Sequence, residues 1–340
     1  MGSVDVCAEV LDLELQDPFG VSSGTSTTRR NVRIRLRGAD GVEGLGEAAV
    51  LGSRGQTAQT AMDALARLAG LLAEHAWWDL SGFERAAALA EPAQTAARAG
   101  LSMARHDLAA RRLGVPLHVL LGHAAGPLPP SSFTVGIDTA EEMLRKASAV
   151  ADWPVVKVKL GFEGDLNVLR AIRGVYGGRL LVDVNGGWTV DRALAAGPVL
   201  CELGVEVLEQ PVPGPDVDGL AAVAAGVKLP VYADESVSDL LDVIGLAGKV
   251  GGVNIKLAKA GGLREALGMI QSARACGLGV MLGCMIESGV GIAAAVAIAP
   301  LVDYADLDGA ALLRQDPHPL VRLEQGRLFA NPGDGLGDLA

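Results

Sequence analysis

Between Phe133 and Leu307 the chain carries eight short apolar runs, each of the first seven followed by a loop and an amphipathic stretch of helical period. The runs are Phe133 to Gly136, Val155 to Val158, Leu180 to Val184, Val205 to Leu208, Val231 to Ala233, Gly252 to Ile255, Gly279 to Leu282 and Asp303 to Leu307. Strands that alternate with crossover helices pair in parallel, and eight of them close into a ring. The expected fold is therefore α/β, a (β/α)7β TIM-like barrel.

Ahead of the repeat the pattern differs. Residues 4 to 15 and 31 to 37 alternate as strands do, with Val32, Ile34 and Leu36 set between arginines, and Gly41 to Gly46 turns the chain into a third strand. From Gln56 to Gly114 the period becomes helical, through Met62, Leu65, Leu68 and Leu72 and again through Leu101, Ala104, Leu108 and Leu113. This predicts an N-terminal α+β capping domain over 1–126, the barrel over 127–314, and a Pro/Gly/Asp-rich tail over 315–340 that returns to the cap. The apolar content suits it: 50% of residues are hydrophobic but only 4% aromatic, as many short buried strands under Ala-rich helices require.

A formal net charge of -11 argues against nucleic acid or an anionic membrane as partner, since both need a basic surface. A small-molecule substrate and a second copy of the chain, in a homo-oligomer, are the partners expected instead. Cys7, Cys201, Cys276 and Cys284 lack CxxC spacing, and no export or spanning segment is visible, so a cytoplasmic protein with reduced thiols is expected. The histidines have no paired ligand spacing. Gly44-x-Gly46-x-x-Ala49 formally fits a dinucleotide fingerprint, but no helix is expected to open at Ala49.

The chemistry sits at the strand ends. Lys159, Asp183, Glu209, Asp234 and Lys256 follow one another at 24, 26, 25 and 22 residues, close to the repeat length. One charged group per unit thus converges on the C-terminal mouth of the barrel, where active sites of this fold lie. Three carboxylates so close together stay ionised only if a cation holds them, and an all-oxygen set points to Mg2+. Any one of these acids alone could be a helix cap; the register makes the three informative together. Lys157-Val-Lys159 puts two ammonium groups on one strand face, where each is expected to depress the other's pKa, so that a neutral lysine can serve as a base. Lys256 approaches the same centre from the opposite side.

Lys157-Val-Lys159, Val182-Asp183-Val184-Asn185, Leu208-Glu209-Gln210-Pro211, Ala233-Asp234-Glu235-Ser236 and Asn254-Ile255-Lys256-Leu257 with Gly261-Gly262 resemble the muconate-lactonising subgroup of the enolase superfamily. The resemblance also covers Gly44-Leu45-Gly46-Glu47-Ala48 in the cap. It implies that Asp183, Glu209 and Asp234 hold Mg2+, which clamps a substrate carboxylate and stabilises the enediolate left by the departing α-proton. It further implies that Lys159 and Lys256 are the acid/base pair and that Lys157 assists the carboxylate. Asn185 and Glu235 become supporting residues, Glu235 by orienting Lys256 through a hydrogen bond.

The metal set does not separate the reactions of that subgroup. Asp306 and Asp308, at the eighth strand, are spaced to face one side and suit a substrate ammonium group, although a strand end can also use such aspartates as caps. With Gly283-Cys284-Met285-Ile286-Glu287-Ser288 they are similar to the dipeptide epimerases, so an isomerase that inverts the α-carbon of a dipeptide's C-terminal residue is expected. Asp306, Asp308, Cys284, Met285 and Thr25 are the substrate contacts this implies. The alternatives are an o-succinylbenzoate synthase or N-acylamino acid racemase, another muconate-lactonising-type cycloisomerase, or a barrel that binds a carboxylate ligand without turnover. Side-chain preference should come from the loops Phe19 to Thr28 and Leu51 to Gln56, the first with no arginine before Arg29, the second carrying Arg54.

Overall fold

The computed structural model describes residues 4–338 except Ser23. Strands β1 (Val4–Val21), β2 (Gly24–Gly38) and β3 (Glu43–Ala48) form an antiparallel sheet in that order. Its inner face carries Val32, Ile34, Leu36 and Ala48, which pack with Leu65, Leu68, Leu101 and Leu108 of the helices Ala58–Leu68 and Thr95–Leu113. The sheet lies on the second helix at glycine distance: a Cβ on Gly44 would collide with the Ala104 carbonyl oxygen, and one on Gly46 with that of Gly100. Gly44-x-Gly46 is therefore a close packing of strand on helix, not a phosphate-binding turn.

One expectation fails here. The segment Phe19 to Thr28, read as a loop, is the tip of a long hairpin, with Phe19 opposite Ser26, Gly20 opposite Thr25 and Val21 opposite Gly24. The Thr/Ser-rich stretch suits a pleated strand better than its small residues suggested. The register slips between Glu14 and Phe19, which bends the tip toward the barrel, where the Ile137 amide donates to the Gly20 carbonyl over 2.8 Å.

Eight parallel strands follow: β4 (Phe133–Val135), β5 (Val155–Lys159), β6 (Arg179–Asp183), β7 (Val205–Glu209), β8 (Val231–Ala233), β9 (Gly252–Lys256), β10 (Gly279–Gly283) and β11 (Tyr304–Asp306). They pair in sequence order, and a parallel bridge between Ser131 and Ala305 joins the two ends of the sheet. The barrel's outer core, between strands and helices, is the largest apolar cluster described. The tail adds β12 (Val321–Glu324) and β13 (Arg327–Ala330) and then reaches the helix Thr95–Leu113, where buried Asp107 accepts from the Leu336 amide (2.8 Å) and Arg111 donates to the Gly337 carbonyl (2.7 Å). No helix described is long and apolar enough to cross a membrane.

Candidate active site

Strand period two decides what points at the barrel axis. Val155, Leu181, Val207, Tyr232, Met281 and Tyr304 make an apolar floor. Two residues further along the same strands stand Lys157, Asp183, Glu209, Asp234 and Asp306, all buried, with Gly283 at the equivalent place on β10. Lateral pairing sets Lys159 beside Asp183 and Asp183 beside Glu209, and puts Lys256 and Asp306 on either side of Gly283. A Cβ on Gly283 would stand 2.6 Å from Asn254 Oδ1 and 2.9 Å from Lys256 Cε, so the glycine leaves the space that Lys256 occupies.

One carboxylate oxygen each from Asp183, Glu209 and Asp234 lies within 4.8 Å of the other two. Lys159 Nζ donates to Asp183 Oδ2 at 2.6 Å, and Lys256 Nζ, from the far side, to Asp234 Oδ2 at 2.9 Å. Lys157 Nζ sits between Asp306 Oδ2 (2.7 Å), Glu209 Oε2 (2.7 Å) and Asp183 Oδ2 (3.2 Å). Among the described residues, buried Glu209 Oε2 nevertheless has no hydrogen-bond partner, because that ammonium approaches outside hydrogen-bonding geometry. An orphaned buried oxygen among three hard oxygen donors fits a small divalent cation such as Mg2+.

The charges explain the protonation states. Burial, then the neighbouring Asp183, pushes Glu209 up to about 8. Burial also acts to raise Asp183 and Asp234, but it is outweighed by Lys159 and Lys157 at the first and by Lys256 and Lys259 at the second, so both stay below the usual carboxylate range. The expected depression of Lys157 is not what the structure shows. Burial works to lower Lys157, yet Asp306, Glu209 and Asp183 override it and hold that ammonium well above its ordinary value. Lys256 is likewise raised against its burial, chiefly by Asp234. At Lys157 and Lys256 the neighbouring carboxylates outweigh burial.

Asp306 accepts from Lys157, from Ser132 Oγ (2.6 Å) and from Thr134 Oγ1 (3.3 Å), while Asp308 accepts from the Thr134 amide (2.6 Å). Both meet Thr134, as their spacing required. Their states differ: burial works to raise Asp306, but Lys157 and Lys159 bring it down to about 2, whereas burial and the charge of Asp306 push Asp308 up to about 7. The half-buried Cys284 donates its amide to the Asp306 carbonyl (3.1 Å), and its thiol is pushed up by burial.

The segment after β3 and the hairpin tip are two of the places where the cap meets the barrel. Leu51 and Ala49 pack on Ala258 and Met285, and Arg54 donates to Ser238 Oγ across 2.7 Å. At the hairpin tip Ser22 Oγ donates to the Asn185 carbonyl (3.0 Å). Thr25, expected to touch substrate, is exposed in the hairpin strand opposite Gly20. Asn185, in the left-handed region at φ 46, turns its amide back to Asp183 Oδ1 (2.9 Å) and its Nδ2 to Glu235 Oε1 (3.1 Å). Among the described residues the hydrogen bond that Glu235 accepts comes from Asn185 and not from Lys256.

Three residues of this centre escaped the sequence reading. Lys259 donates to Asp234 Oδ1 and, at 2.6 Å, to the Asp234 carbonyl. Asn254 donates to Glu209 Oε1 (2.7 Å). Buried Gln210, at φ 34, accepts from the amides of Asp234 (2.8 Å) and Ser236 (3.2 Å) and so fixes the next strand end. The signal for Lys259 was a cation one helical turn past Lys256 in an otherwise apolar segment. Asn254 was marked by facing inward two residues before Lys256.

A parallel barrel whose mouth sets acid groups from three successive strands between opposed lysines defines the class: a metal-assisted carbon-acid enzyme. Residues 4–122 match the mandelate racemase / muconate lactonizing enzyme N-terminal domain and residues 138–338 the enolase C-terminal domain-like family. The chain belongs to this enolase-type family, as the motifs implied. It is 36% identical to the L-Ala-D/L-Glu epimerase of Bacteroides thetaiotaomicron over 96% of this chain and 85% of that one. Its fold superposes at TM-score 0.93 and 35% identity on the dipeptide epimerase of Methylococcus capsulatus in complex with Mg and L-Arg-D-Lys, covering all of both chains. The substrate-liganded L-Ala-D/L-Glu epimerase of Bacillus subtilis gives 0.94 at 27% identity, covering 99% and 98%.

Proposed function

We propose that the protein is a Mg2+-dependent dipeptide epimerase that inverts the α-carbon of the C-terminal residue by 1,1-proton transfer. The observation that carries this is the placement of two amines, Lys159 from β5 and Lys256 from β9, on opposite sides of one carboxylate cluster. Asp183, Glu209 and Asp234 would hold the ion. Bound there, Mg2+ supplies the positive charge that neutralises the carboxylates and acidifies a proton next to a substrate carboxylate.

Inversion needs two proton carriers, because a single base returns the proton to the face it left. Lys159 would serve one face and Lys256 the other: one amine takes the α-proton from its face while the opposed amine gives a proton to the other face, and the two exchange roles when the other epimer is the substrate. Lys157 would meet the substrate carboxylate, with Asn185 and Glu235 as supports of the Asp183 turn. Asp306, ionised at the mouth, is the partner for a dipeptide's free ammonium group, with Asp308, Cys284 and Met285 around it. The synthase, acylamino acid racemase and cycloisomerase readings give this acid pair no use.

The wider assignment keeps a cap over 1–126, a barrel over 127–314 and a tail over 315–340, in a cytoplasmic homo-oligomer. Four free cysteines and the apolar surface of Leu240, Leu241 and Ile244 support the last two points. A dipeptide library incubated with protein and Mg2+ in D2O and read by mass spectrometry tests the activity: α-deuterium at the C-terminal residue of one or more dipeptides is expected, and its absence from all of them would sink the reading.

A further inference from the structure

Outside the charged cluster, one buried carboxylate is fully committed without touching the reacting groups. Asp165, the first residue of the helix Asp165–Val175 after β5, has no exposed surface. Its Oδ2 accepts from the Gly161 amide (3.1 Å) and from Trp188 Nε1 (2.8 Å). Its Oδ1 accepts from the Leu166 amide (2.8 Å) and from Arg192 Nη2 (2.7 Å). Gly161 lies two residues past Lys159, and Trp188 three past Asn185. A single oxygen thus ties the loop that carries Lys159 to the loop that carries Asp183 and Asn185.

The two loops meet backbone to backbone. A Cβ on Gly187 would stand 3.0 Å from Gly161 Cα, and one on Gly161, at φ +99, 3.0 Å from the Val184 carbonyl oxygen. The Leu160 amide also donates to the Asp183 carbonyl (2.8 Å). Packing this close has one arrangement, and a carboxylate with four donors holds it: any shift of Gly161 against Trp188 strands a buried acceptor or donor. The Lys256 side is built from other parts, with Lys259, Asn254 and Gly283 around it, and among the described residues the hydrogen-bond partners of Asp165 are Gly161, Leu166, Trp188 and Arg192.

We propose that Asp165 is the positioning residue for the Lys159 half of the site, setting where that amine stands against the reacting carbon while the Lys256 half is set independently. The inference rests on the two-lysine reading above. Misplacing one amine by a fraction of an ångström should slow only the proton that this amine carries.

The test is α-proton exchange in D2O with each dipeptide epimer separately, in the presence of Mg2+. Lys159→Ala identifies the epimer whose exchange depends on Lys159, and Lys256→Ala the other. Asp165→Asn keeps the shape but turns one accepting oxygen into a donor. It should slow exchange of the Lys159-dependent epimer about ten-fold or more and the other by less than about two-fold. Trp188→Phe, which loses only the Nε1 donor to Oδ2, should show a smaller loss on the same side and carries the test if Asp165→Asn does not fold. Equal losses on both sides, or none on either in both variants, would overturn the assignment. Absence of exchange in the unmodified protein would instead remove the two-lysine reading, and this assignment with it.

Discussion

The mouth of the barrel and the parts of the cap that touch it are built by different rules. At the mouth, Asp183, Glu209 and Lys256 end strands paired on both sides, and each is held by further buried donors or acceptors. The tip of a two-stranded hairpin and a 3-10 turn at Gly52–Arg54 touch the barrel through Ser22 on Asn185, Arg54 on Ser238 and the apolar contact of Leu51. Groups on paired strands have their place set by the register, whereas segments at a hairpin tip or a short turn can change in sequence without moving the strands.

The largest effect is expected at the mouth. Lys159→Ala or Lys256→Ala should lower epimerisation by roughly 10²–10⁴-fold, as loss of a general base or acid does, with Mg2+ affinity retained. Comparable activity in both variants would mean that the reaction does not use opposed amines. Next comes Asp306→Ala. Removing a charge-assisted partner should raise KM for dipeptides by about ten-fold or more, and a dipeptide with a blocked N-terminus should discriminate little between variant and parent. An unchanged KM would return Asp306 to a purely structural role beside Ser132 and Thr134.

The joint between cap and barrel gives smaller effects, read as stability. Buried Glu47 on β3 accepts from Asn31 Nδ2 (2.7 Å), the Ser288 amide and the Ser288 hydroxyl, linking the cap to the segment after β10. Glu47→Gln sets an amide donor against those donors and should cost about 1–3 kcal/mol in thermal or urea unfolding, leaving Mg2+ binding intact. Its neighbour Glu287 is pushed from an ordinary 4.5 up to about 8, first by burial and then by the charge of Glu47. Between those two values the folded chain keeps a proton that the unfolded chain has released, so Glu287 stabilises the fold at low pH and that contribution is lost as pH rises toward 8. Glu287→Gln should flatten the fall of Tm with pH across this window; a slope equal to the parent's would show that the carboxyl titrates normally.

The division between mouth and cap also explains what the sequence could show. Lys159, Asp183, Glu209, Asp234 and Lys256 were legible because strand period and repeat length together admit one placement for each. Asp306 and Asp308 were legible as a pair, but not the capture of Asp306 by Lys157, which depends on β11 standing across the barrel mouth from β7 and near β5. Lys259 and Gln210 were missed because they lie beyond the ends of the strands, outside the two-residue period that places the other groups. The hairpin tip was misread because Thr25 and Gly20 look like loop residues until a partner strand is supplied.

The account depends most on three carboxylates gathering one divalent ion. Calorimetric titration of Mg2+ into the parent and into Asp183→Asn, Glu209→Gln and Asp234→Asn addresses it directly. One site per chain in the parent, sharply weakened in every one of the three variants, is the expected result; binding that survives all three substitutions undiminished would contradict it.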